Sequence, residues 1–195
     1  MITRRSLLKT PVLAFAAKLP TQTSAAPLRW YKPTLGWRVK ETLPGVPMAN
    51  LISMFGIALS HWHFATGLRF EYGGDDFLVY TSSTLGEYVA GRAEMPASYG
   101  ESRTCNVWLN SMLHHTISDA DRRGGVECDL LFTIMHEIGH VLGFSHTGRT
   151  GSIMRPSFDY PAVNALDEGD FELARERYSP AVAGNYKQYL VGVWR

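Results

Sequence analysis

The sequence has few of the features that define specialised protein classes. Its 195 residues include only two cysteines, which allow at most one disulfide bond, and no internal repeat, low-complexity tract or long run of charge. No apolar stretch approaches the length needed to cross a bilayer, so stable membrane insertion is not expected. The remaining composition, 45% hydrophobic and 19% charged residues, is that of a globular protein rather than a disordered one. A chain of this length suits one domain with a substantial buried core.

The first 25 residues are typical of a cleaved export signal. Arg4 and Arg5 precede a short apolar stretch, and small residues lead up to Ala25, after which cleavage is expected. The paired arginines resemble a twin-arginine signal, and the Sec route is the alternative. If the segment does not direct export, it is a disordered basic tail. Export predicts a periplasmic or extracellular protein and leaves residues 26–195 as a single domain.

Without residues 1–25 the chain is slightly acidic. It then carries 15 basic and 18 acidic residues, a net charge of −3. Such a domain has no electrostatic footprint for nucleic acid, so no nucleic-acid partner is expected. In an oxidising compartment Cys105 and Cys128 can form a disulfide, and otherwise they are buried small hydrophobic residues.

The order of apolar patterns predicts an α+β domain. Strands are predicted at 37–40, 77–80, 87–90 and 105–109, and helices at 48–62, after Gly125 and at 167–177. Pro47 is suited to open the first helix, and Gly67 is suited to end it. Strands that precede a sizeable helix, with a loop-rich C-terminal third, indicate an α+β fold.

Residues 136–146, HEIGHVLGFSH, place three histidines in one short segment. On a helix at about 100° per residue, His136 and His140 lie about 40° apart and one turn apart. Both lie on the side opposite the apolar stripe that Ile134 and Val141 share. Histidines on that face are not core residues, and they make a good pair of ligands for one metal ion.

The third histidine requires the helix to end. If the helix continued, His146 would lie about 15 Å beyond His136, too far to share an ion. Gly143 solves this problem because glycine adopts the left-handed conformation that ends helices and reverses the chain. We therefore expect His146 to turn back beneath His136 and His140.

Three neutral imidazoles with one open position describe a catalytic zinc site rather than a closed structural one. Glu137 lies about 60° from His140 on the helical wheel, beside the metal without being aimed at it as a ligand. A carboxylate there can hold the metal-bound water, accept its proton as general base and pass it to a leaving amine.

The same segment matches the metzincin signature H-E-x-x-H-x-x-G-x-x-H, so the chain resembles the metzincin metalloproteases. Residues 152–156, SIMRP, look like the Met-turn of that family, which implies that Met154 packs beneath the metal site; the alternative is an ordinary core methionine. Thr147 after the third histidine, and Pro156 two residues after Met154, make the chain most similar to the matrixins. The export signal suggests a bacterial-type exported member.

The resemblance implies a zincin-like catalytic domain over residues 26–195. Its expected fold is a twisted, mostly parallel sheet with an antiparallel edge strand, two long helices and a small C-terminal subdomain with one helix. A polypeptide substrate would add to the sheet edge as an extended strand, which we assign to residues 87–92. Pro156 and Phe158 would line the wall of the substrate pocket.

One catalytic Zn²⁺ is implied, whereas Ca²⁺ or a second Zn²⁺ is left open. His114 and His115, with Asp119 and Asp121, are the nearest candidates for a second site, but a solvated turn is the favoured interpretation. The protein is expected to act as a monomer.

These observations predict an exported zinc-dependent endopeptidase that hydrolyses peptide bonds with a metal-bound water activated by Glu137. A first alternative is a metal-holding or adhesion protein without catalysis, although such a protein has no need of a base beside the metal. A second alternative is hydrolysis of amides in cell-wall or small-molecule substrates, which the same site can perform.

Overall fold

A computed structural model describes residues 28–96, 103–117, 127–156 and 165–178. The strands are β1 (Thr34–Val39), β2 (Arg69–Tyr72), β3 (Phe77–Ser82), β4 (Gly91–Ala93), β5 (Cys105–Asn110), β6 (His114–Thr116) and β7 (Glu127–Asp129). The helices are α1 (Met48–Thr66), α2 (Leu130–Val141) and α3 (Glu168–Tyr178). The export signal predicted at residues 1–25 lies outside the described residues and stays a prediction.

Five strands form the main sheet in the order β2-β1-β3-β5-β4. All neighbours are parallel except β4, which runs antiparallel to β5 at one edge. Alternate residues of β1 are buried, as expected for a strand with one face on the core, and β6 and β7 form a separate parallel pair. This arrangement confirms the predicted α+β fold with a mostly parallel sheet and an antiparallel edge strand.

Helix α1 begins and ends where the sequence predicts. Pro47 occupies the N-cap, and Gly67 at the other end has φ 74° and donates its N–H to the carbonyl of His63 at 2.8 Å. Left-handed backbone of this kind favours glycine, which explains why the helix stops there. The apolar face of α1 packs on α2, where the Trp62 indole donates to the carbonyl of Met135 at 2.9 Å.

Helix α2 is the central buried helix of the domain. The side chain of Asp129 caps its start by accepting the N–H of Phe132 at 2.9 Å. Most of its residues are buried, including fully buried Ile134 and Ile138 on the predicted apolar stripe. A helix buried on most sides holds its polar side chains in fixed positions, which is what a metal site requires.

The structure corrects one predicted strand and adds three. Residues 87–90 are not a strand; the edge strand is β4 at Gly91–Ala93, because the side chain of Asn110 binds the carbonyls of Gly86 and Val89. Strands β2, β6 and β7 had no strong alternation in the sequence and were not predicted. Each has only three or four residues, too few for a periodic pattern to show.

Both cysteines are free thiols in buried positions, Cys105 on β5 and Cys128 on β7. Burial raises the pKa of Cys105 to about 12 and the pKa of Cys128 to about 11. Of the two alternatives, the structure shows the buried thiols and not the disulfide.

Across the part of the chain that the structure describes, no helix combines the length and apolar character needed to cross a bilayer.

Candidate metal centre

Three imidazoles converge at the C-terminal end of α2. The Nε2 atom of His146 lies 3.1 Å from Nε2 of His136 and 3.1 Å from Nε2 of His140. Within the described ranges this is the one group of three potential ligands whose donor atoms lie close enough to hold a metal ion. His136 is buried, His140 is half-buried and His146 is exposed, so the group opens to solvent on one side.

The chain reversal that brings His146 back occurs at Gly143. Its φ is 88°, and its N–H donates to the carbonyl of His140 at 2.8 Å, while Phe144 donates to the carbonyl of Gly139 at 2.9 Å. These bonds satisfy carbonyls that a helix end leaves unpaired. The predicted bend is therefore present where the sequence placed it, and His146 lies beneath the other two histidines.

Helix α3 holds this reversal from the outside. The guanidinium of Arg177 donates to the carbonyl of Gly143, and the hydroxyl of Tyr178 donates to the carbonyl of Leu142 at 2.8 Å. The last turn of α3 is thus attached to the turn that aims His146.

Backbone carbonyls orient two of the three rings. Nδ1 of His136 donates to the carbonyl of Ile153 at 2.8 Å, and Nδ1 of His140 donates to the carbonyl of Phe144 at 2.8 Å. With the proton on Nδ1, the neutral ring presents a lone pair at Nε2. Both lone pairs therefore face the Nε2 atom of His146.

This donor set fits a zinc ion. A single N–H on His146 cannot satisfy two lone pairs at 3.1 Å at once, whereas a cation among the three nitrogens can. Tetrahedral zinc with nitrogen ligands at about 2.0–2.1 Å separates those ligands by roughly 3.3 Å, close to the spacing observed. Hydrogen bonds from Nδ1 to carbonyl oxygens are also the usual support of zinc-binding imidazoles.

The electrostatics favour neutral ligands. Burial, together with the neighbouring His140, lowers the pKa of His136 to about 4, and burial lowers the pKa of His140 and of His146. Neutral imidazole is the form that binds a metal, so at neutral pH the rings need not lose protons first.

Glu137 lies beside the ligands in an environment that is poor in hydrogen bonds. Only 4% of its surface is exposed, and its Oε2 atom has no hydrogen-bond partner among the described residues. Burial raises the pKa of this carboxyl to about 8. A buried carboxyl with a free oxygen and a raised pKa is a recurring property of catalytic acids and bases.

Met154 packs against Gly139 of α2. It is buried, and its side chain occupies the space in which a side chain on Gly139 would lie. Gly139 is on α2 between His136 and His140, so the methionine contacts the helix turn that carries the two histidines. The carbonyl of Met154 accepts the N–H of Thr147 at 3.0 Å, which joins this turn to the residue after His146.

Asp170 fixes the turn that contains Met154, a role that the sequence did not reveal. This buried carboxylate accepts the hydroxyl of Ser152, the N–H of Ile153 at 2.9 Å and the guanidinium of Arg149 at 2.8 Å. The carbonyl of the same Ile153 orients His136. In the sequence, residues 166–170 indicated only the start of a helix, and the acidic first turn of α3 gave no sign of its partner.

The other candidate residues lie apart from the histidines or outside the described residues. Pro156 is exposed, and Phe158 is outside the described residues, so the pocket wall stays a prediction. His115 is buried and contacts the carbonyl of Asn110 through Nε2 at 2.7 Å, which corrects the solvated turn expected at His114 and His115.

Known proteins resemble the chain in this region. The family model for matrixin matches residues 86–179. Matrix metalloproteinase-17 of Homo sapiens is 26% identical over 182 residues, which cover 85% of this chain and 29% of that protein. Interstitial collagenase A of Mus musculus is 24% identical over 160 residues, 78% of this chain and 34% of that protein. Matrix metalloproteinase-21 of Homo sapiens is 66% identical over 51 residues, 25% of this chain and 9% of that protein.

The chain spans about a third or less of the length of these relatives. The matched residues 86–179 include β4, β5, the whole histidine group and α3. The similarity therefore extends over the site and the elements that support it.

Proposed function

We propose that this chain is a matrixin-like, zinc-dependent endopeptidase in which Glu137 is the general base. Members of the matrixin family are zinc metalloendopeptidases, and the histidine group can hold their metal. The observation that carries the proposal is the position of Glu137, a buried carboxyl that follows His136 in the chain and whose Oε2 atom has no partner among the described residues.

His136, His140 and His146 would hold the ion. Zinc, when bound, acts as a Lewis acid that lowers the pKa of water and polarises a carbonyl group. The chain itself supplies rigid placement of the ligands, because the carbonyls of Ile153 and Phe144 fix two of the three rings.

Glu137 moves the proton. Its carboxylate accepts a proton from the attacking water while the water oxygen bonds to the carbonyl carbon of the scissile peptide. It then donates that proton to the amide nitrogen as the carbon–nitrogen bond breaks, which releases a carboxylic acid and an amine. Burial alone raises the carboxyl pKa to about 8, and a cation held by the three histidines would lower it again and favour the carboxylate that acts as the base.

The substrate is proposed to lie along β4. Among the described residues this strand is the last in the sheet and pairs with β5 on one side only, so an extended peptide could add to its other edge. β4 packs against α2, which places that edge next to the helix of His136 and Glu137. A polypeptide bound there as an added strand would pass over the histidine group.

We further propose that residues 1–25 direct export and are removed after Ala25. The basic, apolar and small-residue segments support this proposal. N-terminal sequencing of the secreted protein tests it, and retention of Met1–Ala25 would contradict it. Replacing both Arg4 and Arg5 with lysine should block export by the twin-arginine route and leave Sec export intact.

Digestion of a peptide library by the zinc-loaded protein tests the endopeptidase proposal. We expect internal cleavage that a strong chelator abolishes and added zinc restores. Magnesium, which prefers oxygen ligands, should not restore activity and serves as the control. A zinc-loaded protein that binds peptides without cutting them would support the non-catalytic alternative instead.

A further inference from the structure

Asn110, at the end of β5, is one of the most fully bonded residues in the described part of the chain. Its side chain is 1% exposed, and its amide nitrogen Nδ2 donates to the carbonyls of Gly86 and Val89 at 2.8 Å each. Its Oδ1 atom accepts the N–H of Met112 at 2.9 Å. Both donors of the carboxamide and one of its two acceptor positions are therefore used.

The backbone of Asn110 extends the same contact to the next residue of the loop. Its N–H donates to the carbonyl of Ala90 at 3.0 Å. Three carbonyls from residues 86–90 thus point at one asparagine. Because this loop leads directly into β4, Asn110 sets where the edge strand begins.

β4 begins at Gly91, and Gly91 lies against the base. A methyl group on Gly91 would be 2.8 Å from Oε1 and 2.9 Å from Cγ of Glu137, closer than atoms can approach without displacement. Oε2 of Glu137 has no hydrogen-bond partner among the described residues, so packing contributes to the placement of the carboxyl. The strand backbone at Gly91 is one wall of that packing.

We propose that Asn110 is a positioning residue that acts through Gly91. Its carboxamide holds residues 86–90, the loop fixes Gly91, and the bare backbone of Gly91 both leaves room for Glu137 and limits where its carboxyl can go. The same clamp fixes the edge that would receive the peptide. This inference rests on the proposed function, because it assigns Glu137 and β4 their roles in the reaction.

Amide hydrogen exchange tests the clamp without any activity measurement. Asn110→Asp keeps the shape of the side chain but removes both donors and sets a carboxylate against two carbonyl oxygens. We expect amides in residues 86–94 to exchange about tenfold faster or more in this variant, with α1 unchanged. Val39→Ala on β1 is the control, because it weakens the core two strands away from β5. Equal exchange in wild type and Asn110→Asp would overturn the proposal.

Kinetics normalised to bound zinc test the positioning role. A purely structural defect lowers the active fraction and leaves turnover per zinc unchanged, as we expect for Val39→Ala. For Asn110→Asp we expect kcat per bound zinc to fall about tenfold or more and KM to rise, since base and substrate edge are both released. If Asn110→Asp keeps the wild-type kcat per bound zinc and the wild-type KM, the proposal is contradicted even if amide exchange increases.

Gly91→Ala separates the two steps of the inference. The added methyl group should displace Glu137, so kcat should fall while exchange in residues 86–94 stays as in wild type. Gly56→Ala, where a methyl group meets no neighbouring atom, is the matched control. If the Gly91→Ala protein keeps the wild-type kcat, Asn110 does not act on Glu137 through Gly91. If wild type holds zinc and cleaves no peptide, the proposed function fails, and the exchange result still decides whether Asn110 holds β4.

Discussion

The side chain of Met154 fills the space that a side chain on Gly139 would occupy, directly behind the helix turn between His136 and His140. The contact joins two parts of the chain that the sequence separates by fifteen residues. Its consequence is that a methyl group cannot be added at position 139 without moving Met154 or α2.

Gly139→Ala should therefore weaken the metal centre although alanine favours helices. We expect a loss of about 1–3 kcal/mol in the free energy of unfolding, typical of overpacking, together with weaker zinc binding. Urea denaturation and zinc titration measure the two effects. Gly56→Ala on the exposed face of α1 is the control and should be neutral or slightly stabilising. If Gly139→Ala keeps the stability and zinc affinity of the wild type, Met154 can move aside and is not a rigid support for α2.

Asp170→Asn should loosen the same turn from the other side. The amide keeps the size of the side chain but loses the charge that binds Arg149, and one of its two oxygens becomes a donor facing the N–H of Ile153 or the hydroxyl of Ser152. We expect a loss of about 1–3 kcal/mol in stability and roughly tenfold weaker zinc binding through His136. Glu172→Gln, on the exposed side of α3, controls for the loss of an acidic residue. If Asp170→Asn binds zinc as tightly as the wild type, Asp170 does not influence zinc binding through His136.

Glu137 should lower the free energy of unfolding of the metal-free protein by an amount that depends on pH. Burial raises its pKa to about 8 from an ordinary value of 4.5, so between those pH values the folded state holds a proton that the unfolded state has lost. Stability then falls as pH rises through this window. Glu137→Gln removes the cost and should become more stable than wild type by a few kcal/mol between pH 5 and pH 8. The contribution of His136, whose pKa is lowered, is common to both proteins and cancels.

Urea denaturation of both metal-free proteins across that pH range measures the difference. A stability difference that is independent of pH would contradict a raised pKa at Glu137.

The two cysteines should react as buried thiols. Their raised pKa values and their burial predict slow labelling of the folded protein by iodoacetamide and fast labelling of both in denaturant without reductant. Mass spectrometry counts the labels. Absence of labelling in unreduced, denatured protein would indicate the disulfide instead.

The sequence was most informative at positions where the local backbone conformation allows only one type of residue. Gly67 and Gly143 marked the ends of α1 and α2 because their left-handed conformations have few alternatives, and the histidine spacing then determined the geometry of the site. The helical wheel also predicted correctly that His136 and His140 share one face, whereas it did not predict the burial of His136. These features depend on local geometry, which the chain encodes over a few residues.

Contacts between distant segments could not be predicted in the same way. Asp170 and Asn110 look like ordinary helix-start and strand-end residues in the sequence, and only the fold shows which carbonyls and amides they bind. The start of β4 was misplaced for the same reason, because a side chain twenty residues later competes for the loop carbonyls. Burial of His115 also depends on tertiary packing and not on local pattern.

The most direct test of the account is to compare zinc content and peptide turnover in wild type and Glu137→Gln. In the proposed mechanism three imidazoles hold the metal and the carboxyl only moves the proton, so both proteins should bind one zinc per chain. Turnover by Glu137→Gln should fall by about a hundredfold to ten-thousandfold. Near-normal turnover by a fully loaded Glu137→Gln protein, or failure of the wild type to bind stoichiometric zinc, would contradict the central claim.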